Sequence, residues 1–350
     1  MKVFFTQTEH EDQIWGSDGC DWALRMREQI ERAATTQYAV VDDPVKADII
    51  VFWEPHQDSQ VIFTPRLRAH PLVGRFPNKV YTVSVEDNPL GFLSGLYASL
   101  PRHRHDPRRH RTWVYYRTEN PHVHASREER RPKNLAAFMG SGDADVRRAL
   151  FELQGPFAQL GIVVQRTPRN RFAPNPADPA LKEAQMAYID AILDAKFSLC
   201  PRSNGAGTYR LQESMALGRA PVILSDAWVP VSGVDWNEIA IIVEEDDVGC
   251  LPSILHEHEP RWEAMGRKAR EVYDAMFCRE TFARNALDQI VAIHRHRRHD
   301  ERDFFARWPE MIAAEPKRSA SPAPTTTAPA AAPDPPPAAL GRRRPGSGRE

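Results

Sequence analysis

At 350 residues the chain is longer than one hydrophobic core usually organises, so two domains of roughly 120 to 180 residues with a cleft between them are the first expectation. Hydrophobic residues make up 41% and charged residues 27%, and the formal net charge is −1, which excludes a chain whose main business is coating nucleic acid or an anionic membrane. No apolar run of 18 or more residues occurs, and MKVFFTQTEH passes straight into a strand-like pattern, so the sequence reads as a cytoplasmic protein with no integral membrane segment.

The opening third alternates strand-like runs at 3–6, 38–41 and 48–53 with an amphipathic stretch at 21–34. Such alternation predicts a parallel sheet with helices on its faces. KVYTVSV at 79–85 continues the sheet, and GFLSGLYASL at 91–100 reads as a short helix or turn. Between 102 and 133 the character changes: ten Lys or Arg stand against four Asp or Glu, with histidines interspersed, and a solvated basic linker is the default reading. TWVYY at 112–116 leaves room for a strand inside it.

A second alternating unit starts with NLAAFMG at 134–140 and a helix over 145–158. Strands at 162–165, 197–200 and 221–224 follow, interleaved with helices at 181–194 and 209–217. Amphipathic helices at 259–277 and 280–296 close the folded part. The expected domains are 1–130, 131–313 and a Pro/Ala-rich tail, 314–350, too poor in large apolar residues to order itself. Cys20, Cys200, Cys250 and Cys278 follow no metal-binding spacing and are expected as reduced thiols.

The chemistry concentrates in KFSLCPRSNGAGTYRLQESMALGRAPVILSDAW, 196–228: a buried strand, a loop with Gly205 and Gly207, a helix, and a second buried strand. A glycine loop lets backbone N–H groups approach an anionic oxygen, and a helix start adds unpaired donors, so the unit suits a nucleoside diphosphate. Arg202 and Arg210 flank the loop and are placed to make charge-assisted contacts to phosphate. Glu213, three residues beyond Arg210, shares its helical face and suits ribose hydroxyls, although the spacing serves a structural Arg/Glu pair equally well.

The run CPRSNGAGTYRLQESMALGRAPVILSDAWVPV resembles the exostosin signature, in which Cys-Pro-Arg, a glycine loop, Arg-Leu-x-Glu-x-x-Ala-x-Gly and Pro-Val-x-x-Ser-Asp-x-Trp follow in order. Asp235-Trp236, LPSIL at 251–255, Phe138-Met139-Gly140 and Asp145-Val146-Arg147 fall where that family places comparable residues, and DDPVKADIIVFWEP resembles its N-terminal segment. The resemblance implies an α/β GT-B fold, two Rossmann-like domains facing across a cleft. It also implies inverting transfer of a sugar from a nucleotide-sugar, commonly a UDP-sugar, to a glycan or other hydroxyl acceptor. Carried over, the donor site comprises Arg202, Ser203, Gly205, Gly207, Thr208, Arg210 and Glu213, with Gly140 and Arg147. Ser203-Asn204 stands where the family usually has Gly and an acidic or polar residue, and Gln212 where Phe is common.

An inverting transfer needs a base from the first domain. Asp87, Glu86 and Glu54 are candidates, because each follows a strand at the end where α/β sheets place ligands; an ordinary polar loop is the alternative for each. HVH at 122–124, HEH at 256–258 and the histidines from 294 lack partners at structural spacing, so neither a metal nor another cofactor is expected. Asp143-Ala144-Asp145 mimics the metal-binding Asp-x-Asp of a different glycosyltransferase fold, but it precedes a helix and reads better as an N-terminal cap. Trp53, Trp113, Trp228 and Trp236 are candidates for core packing or sugar stacking. Two other functions stay open: a nucleotide-sugar epimerase or hydrolase on the same fold, and a non-catalytic nucleotide-sugar-binding protein.

Overall fold

The computed structural model describes residues 1–8, 22–33, 37–54, 63–116, 120–123, 130–142, 144–167 and 179–313. The expected tail, Cys20, His124 and Asp143 lie outside these residues. Residues Met1–Ala306 form one compact unit, and Arg307–Glu350 fall in a second, described only as the end of a helix.

The first sheet is built from β1 (Lys2–Thr6), β2 (Ala39–Val40), β3 (Ile49–Glu54), β4 (Val80–Ser84), β5 (Gly95–Tyr97) and β6 (His110–Thr112), all parallel, in the order β2-β1-β3-β4-β5-β6. Strand β3 reads IIVFW without alternation because both of its faces are covered, and Ile49 to Trp53 are fully buried. Helix α1 (Trp22–Arg32) covers one face through Ala23, Met26 and Ile30, spaced at helical intervals. The short helices α2 (Phe63–Ala69) and α3 (Pro71–Arg75) lead into β4.

The stretch 91–100, expected as helix or turn, contains strand β5 instead. Gly95 has φ +154 and lies so close to β4 that a Cβ would fall 2.1 Å from the Thr82 carbonyl oxygen, so no helix fits there. Nor is the first part of the basic stretch, 102–116, a solvated linker. It supplies edge strand β6, and Arg109, His110, Thr112 and Trp113 to Tyr115 are buried. Arg109 pairs with the buried Glu301 at 2.6 Å, and Arg102 donates to the carbonyls of Asp226 and Trp228. Arg109 is thus spent inside the molecule, while Arg102 and Arg108 remain exposed.

The second sheet, β7 (Asn134–Gly140), β8 (Ile162–Arg166), β9 (Ala195–Pro201), β10 (Ala220–Leu224) and β11 (Ile241–Val243), is also wholly parallel, ordered β11-β10-β9-β7-β8. Its helices are α4 (Asp145–Glu152), α5 (Gln154–Ala158), α6 (Pro179–Leu193), α7 (Arg210–Ala216), α8 (Leu251–His258) and α9 (Trp262–Val272). The single helix expected over 145–158 is broken between α4 and α5 at Leu153, and the one expected over 259–277 ends in a π turn, Tyr273–Phe277.

Helix α10 (Phe282–His296) runs back under the first sheet. Phe282 meets Trp53 at 6.0 Å and Trp113 at 5.7 Å between ring centroids, and Tyr81 bonds His294 at 2.9 Å. Helix α11 (Glu301–Ala313) begins at the buried Glu301. The two-sheet α/β architecture expected from the sequence is present. The loops at the C-terminal strand ends of one sheet touch those of the other, the arrangement of the GT-B class. Among the described residues no helix is long and apolar enough to cross a membrane.

Candidate active site

The strand order locates a crevice before any side chain is considered. In an open parallel sheet, ligands sit outside the carboxyl ends of the strands where the order reverses direction. In the second sheet that point lies between β7 and β9, because β8 is added on one side of β7 and β9 to β11 on the other. The residues just past these two strands are Gly140 and the loop from Arg202 to Tyr209. In the first sheet the reversal lies between β1 and β3, so Glu54, the last residue of β3, stands at it; the side chain of Glu54 is outside the described ones.

Arg210, the first residue of α7, is 4% exposed and points back over the end of β7. Its guanidinium carbon lies 4.8 Å from the Phe138 ring centroid and 4.6 Å from that of Tyr188, and Nη2 donates to the Met139 carbonyl. Nη1 is buried and has no hydrogen-bond partner among the described residues, and no carboxylate there lies within ion-pair distance of Arg210. An unmade hydrogen bond from a buried donor costs about 1–3 kcal/mol, more for a charged one, so Arg210 is poised to gain an anionic oxygen. Gly140 makes the arrangement feasible: a Cβ on it would stand 3.1 Å from Nη2.

Arg202 is placed differently. Its Nε donates to Glu245 Oε1 at 2.6 Å, and Glu245 also accepts from the backbone N–H of Asp226 while donating its own to Asp226 Oδ1. This knot ties the loop after β9 to the ends of β10 and β11. Arg147, in α4, is a carbonyl clamp: Nε donates to Arg202 O at 2.8 Å, Nη2 to Pro201 O at 3.1 Å, and Nη1 to Ser141 O. It therefore fixes the two loops that flank the crevice. Ser203 and Thr208 are half-buried loop residues; the Ser203 N–H donates to the Gly207 carbonyl.

Glu213 is 4% exposed. Oε1 accepts from the backbone N–H of Asn120 at 2.9 Å, and Oε2 accepts from the Tyr188 hydroxyl. The carboxylate thus joins α7 to α6 and to the crossover segment between the sheets. Tyr188 also carries the Arg210 guanidinium, whose carbon lies 4.6 Å from its ring centroid, so one aromatic side chain contacts both members of the i, i+3 pair.

The two glycines of the loop make the close approach between the sheets. A Cβ on Gly205 would lie 1.4 Å from the Asp87 carbonyl oxygen, and one on Gly207 would lie 2.6 Å from that of Ala98. The Gly207 N–H donates to Ser99 Oγ at 3.0 Å, and Ser99 Oγ donates to the Asp87 carbonyl at 3.0 Å. The Asp87 carboxylate accepts from the Tyr115 hydroxyl at 2.9 Å. Burial raises the Tyr115 pKa well above the ordinary tyrosine value, so that hydroxyl stays protonated and donates. Glu86, beside Asp87, is 2% exposed with its N–H on Ser84 Oγ at 3.3 Å.

The structure therefore brings Asp87, Gly205, Gly207, Arg210, Gly140, Arg147 and Arg202 to one seam between the carboxyl ends of both sheets. The four candidate stacking tryptophans are not there. Trp53, Trp113, Trp228 and Trp236 are at most 5% exposed; Trp228 meets Trp236 edge-on at 4.8 Å, and the other two pack under α10. Sequence reasoning passed over Ser99, Tyr115, Asn120, Tyr188 and Glu245. The strand-end rule that singled out Asp87 reaches Ser99 and Glu245 as well, since they follow β5 and β11.

Residues 102–258 match the Exostosin GT47 domain. Over this span the chain is similar to the exostosin glycosyltransferases. The matched span takes in the crevice residues from Tyr115 to Glu245, whereas Asp87 and Ser99 lie before it. Over 91 residues the chain is 36% identical to an Exostosin-1 homolog of Caenorhabditis elegans, covering 25% of this chain and 24% of that protein. Over 86 residues it is 37% identical to a probable glucuronosyltransferase, GUT1, of Oryza sativa subsp. japonica, covering 24% of this chain and 21% of that one. The match thus spans about a quarter of the length of these curated relatives. A solved glycosyltransferase from Rickettsia africae aligns over 84% of this chain and 97% of its own, at 9% identity and a TM-score of 0.36, and adds nothing to the topology read from the strands. Among the described residues no group of three or more His, Cys, Asp or Glu is arranged to hold a metal ion, and Cys200, Cys250 and Cys278 are free thiols.

Proposed function

We propose that the exostosin-like chain moves a sugar, with inversion, from a UDP-sugar to a glycan or other hydroxyl acceptor. Residues 131–313 hold the donor in this reading, and residues 1–130 face the acceptor. The observation that carries it is the buried guanidinium of Arg210 at the β7/β9 reversal, with Nη1 lacking a hydrogen-bond partner among the described residues. A diphosphate oxygen satisfies that donor, and the charge that grows on the leaving group is met by a cation already fixed between two aromatic rings.

In the transfer, the acceptor oxygen forms a bond to the anomeric carbon as the bond from that carbon to the β-phosphate oxygen breaks. The electron pair leaves on UDP, and the acceptor's proton passes to a base. Of the three carboxylates named for that role, Asp87 is the one whose own backbone meets the donor loop: its carbonyl faces Gly205 and accepts from Ser99 Oγ, which in turn accepts from the Gly207 N–H. Arg147 and the Arg202–Glu245 pair hold the loops on either side of the crevice, which keeps Arg210 in register with the donor.

The test is titration calorimetry of the full chain with UDP, followed by UDP release from UDP-glucuronic acid, UDP-N-acetylglucosamine and UDP-glucose. Binding of UDP and release that depends on an added glycan acceptor support the reading. Release with free sugar as product in the presence of acceptor makes the chain a hydrolase, and absence of UDP binding overturns the donor assignment.

A further inference from the structure

We infer that Tyr115 is the positioning residue of the transfer, the side chain that holds the Asp87 carboxylate against the donor loop; this rests on the reading of Asp87 and Arg210 above. Tyr115 follows β6, at the far edge of the first sheet, yet it touches both sheets. Its hydroxyl donates to Asp87 Oδ1 at 2.9 Å. Its ring packs on Tyr209, the residue that precedes Arg210, with centroids 4.1 Å apart. Its main-chain carbonyl accepts from the Gln212 side chain, one residue before Glu213. One residue thus fixes the base loop, the start of α7 and the middle of α7 together.

Each contact has a chemical consequence. A hydrogen bond from a neutral phenol leaves the carboxylate charged and stops it rotating, so its remaining acceptor capacity keeps one direction. Among the described residues the titratable groups that face Tyr115 are Asp87, from the loop after β4, and Tyr209, which leads into α7; neither is a cation. The Gln212 contact explains the departure from the family pattern: a Phe at this position has no donor for the Tyr115 carbonyl, whereas Gln212 supplies one.

The experiment compares Tyr115→Phe with wild type and Asp87→Asn, in the full chain, by UDP calorimetry and by the pH profile of UDP release. Tyr115→Phe keeps the ring stack and the Gln212 contact, so the fold is preserved and the phenol hydroxyl alone is lost. Expected are unchanged UDP affinity, a kcat about tenfold lower, and an acidic limb of the kcat profile moved up by roughly one pH unit, since a bond to the charged form of the base is gone. A Tyr115→Phe profile superimposable on wild type, with Asp87→Asn inactive, overturns the role of Tyr115 and leaves Asp87 as base. Wild-type turnover in Asp87→Asn overturns both assignments while the donor reading stands on UDP binding, and a chain that does not bind UDP loses all three.

Discussion

Gly205 backs onto Asp87 so closely that a Cβ built on the glycine falls 1.4 Å from the aspartate's main-chain carbonyl oxygen. The atom in the way is backbone and cannot swing aside, so the seam between the sheets depends on this hydrogen. Gly205→Ala is expected to cost about 3 kcal/mol or more, a fall in Tm of roughly 6 °C or more. Gly155, in α5 with nothing within 4 Å of its would-be Cβ, is the control: alanine there should leave Tm unchanged or raise it slightly. Thermal denaturation followed by circular dichroism separates the two, and a neutral Gly205→Ala contradicts the seam.

Glu213 was read from the sequence as a ribose ligand, and in the structure both its oxygens accept hydrogen bonds within the protein. Glu213→Gln replaces one acceptor oxygen by a donor nitrogen that must face either the Asn120 N–H or the Tyr188 hydroxyl. A stability loss of about 1–3 kcal/mol is expected. Loss of UDP affinity should accompany it if the carboxylate also serves the ribose. Denaturant titration and UDP calorimetry on this one variant distinguish a pure clamp, with affinity intact, from a clamp that binds.

Stability should fall as the solution is acidified through about pH 6.5. His110 is fully enclosed, its Nδ1 accepting from the Asp106 N–H and its Nε2 facing the Gly91 carbonyl at 3.0 Å, and burial holds its pKa well below the usual value of 6.5. His105 and His294 are lowered too, again mainly by burial. Above about pH 6.5 these imidazoles are neutral both folded and unfolded; below it the unfolded chain binds protons that the folded chain refuses, so stability is lost on acidification. Tm at pH 5.5 should lie below Tm at pH 7.5, and an equal or higher value at pH 5.5 contradicts this account.

Chelation is expected to leave turnover unchanged, because in the proposed reading the Arg210 guanidinium meets the diphosphate. If EDTA abolishes UDP release and Mn2+ restores it, another cation carries that charge.

The sheets were legible in the sequence because parallel strands buried on both faces appear as unbroken apolar runs, as in IIVFW of β3 and APVIL of β10. What was not legible is what depends on distant partners. GFLSGLYASL has the composition of a helix or a turn, and only the Thr82 carbonyl pressed against Gly95 makes it a strand. The basic stretch looks solvated until Glu301, 192 residues away, is seen to neutralise Arg109. In the site, Arg202, Arg210 and Glu213 were found together by their spacing, but the spacing could not tell that Glu245 occupies Arg202 or that Asn120 and Tyr188 occupy Glu213. Those partners arrive from other strands and helices and carry no local signal.

The most direct test of the donor site is the steady-state kcat for UDP release by Arg210→Ala, with circular dichroism confirming the fold. An interaction strongest when charge develops on the leaving diphosphate should lower kcat by about a hundredfold or more, with little change in KM. Arg202→Ala, whose guanidinium is already engaged by Glu245, should lose less. A folded Arg210→Ala enzyme that turns over at the wild-type rate contradicts the account and moves the donor away from the β7/β9 crevice.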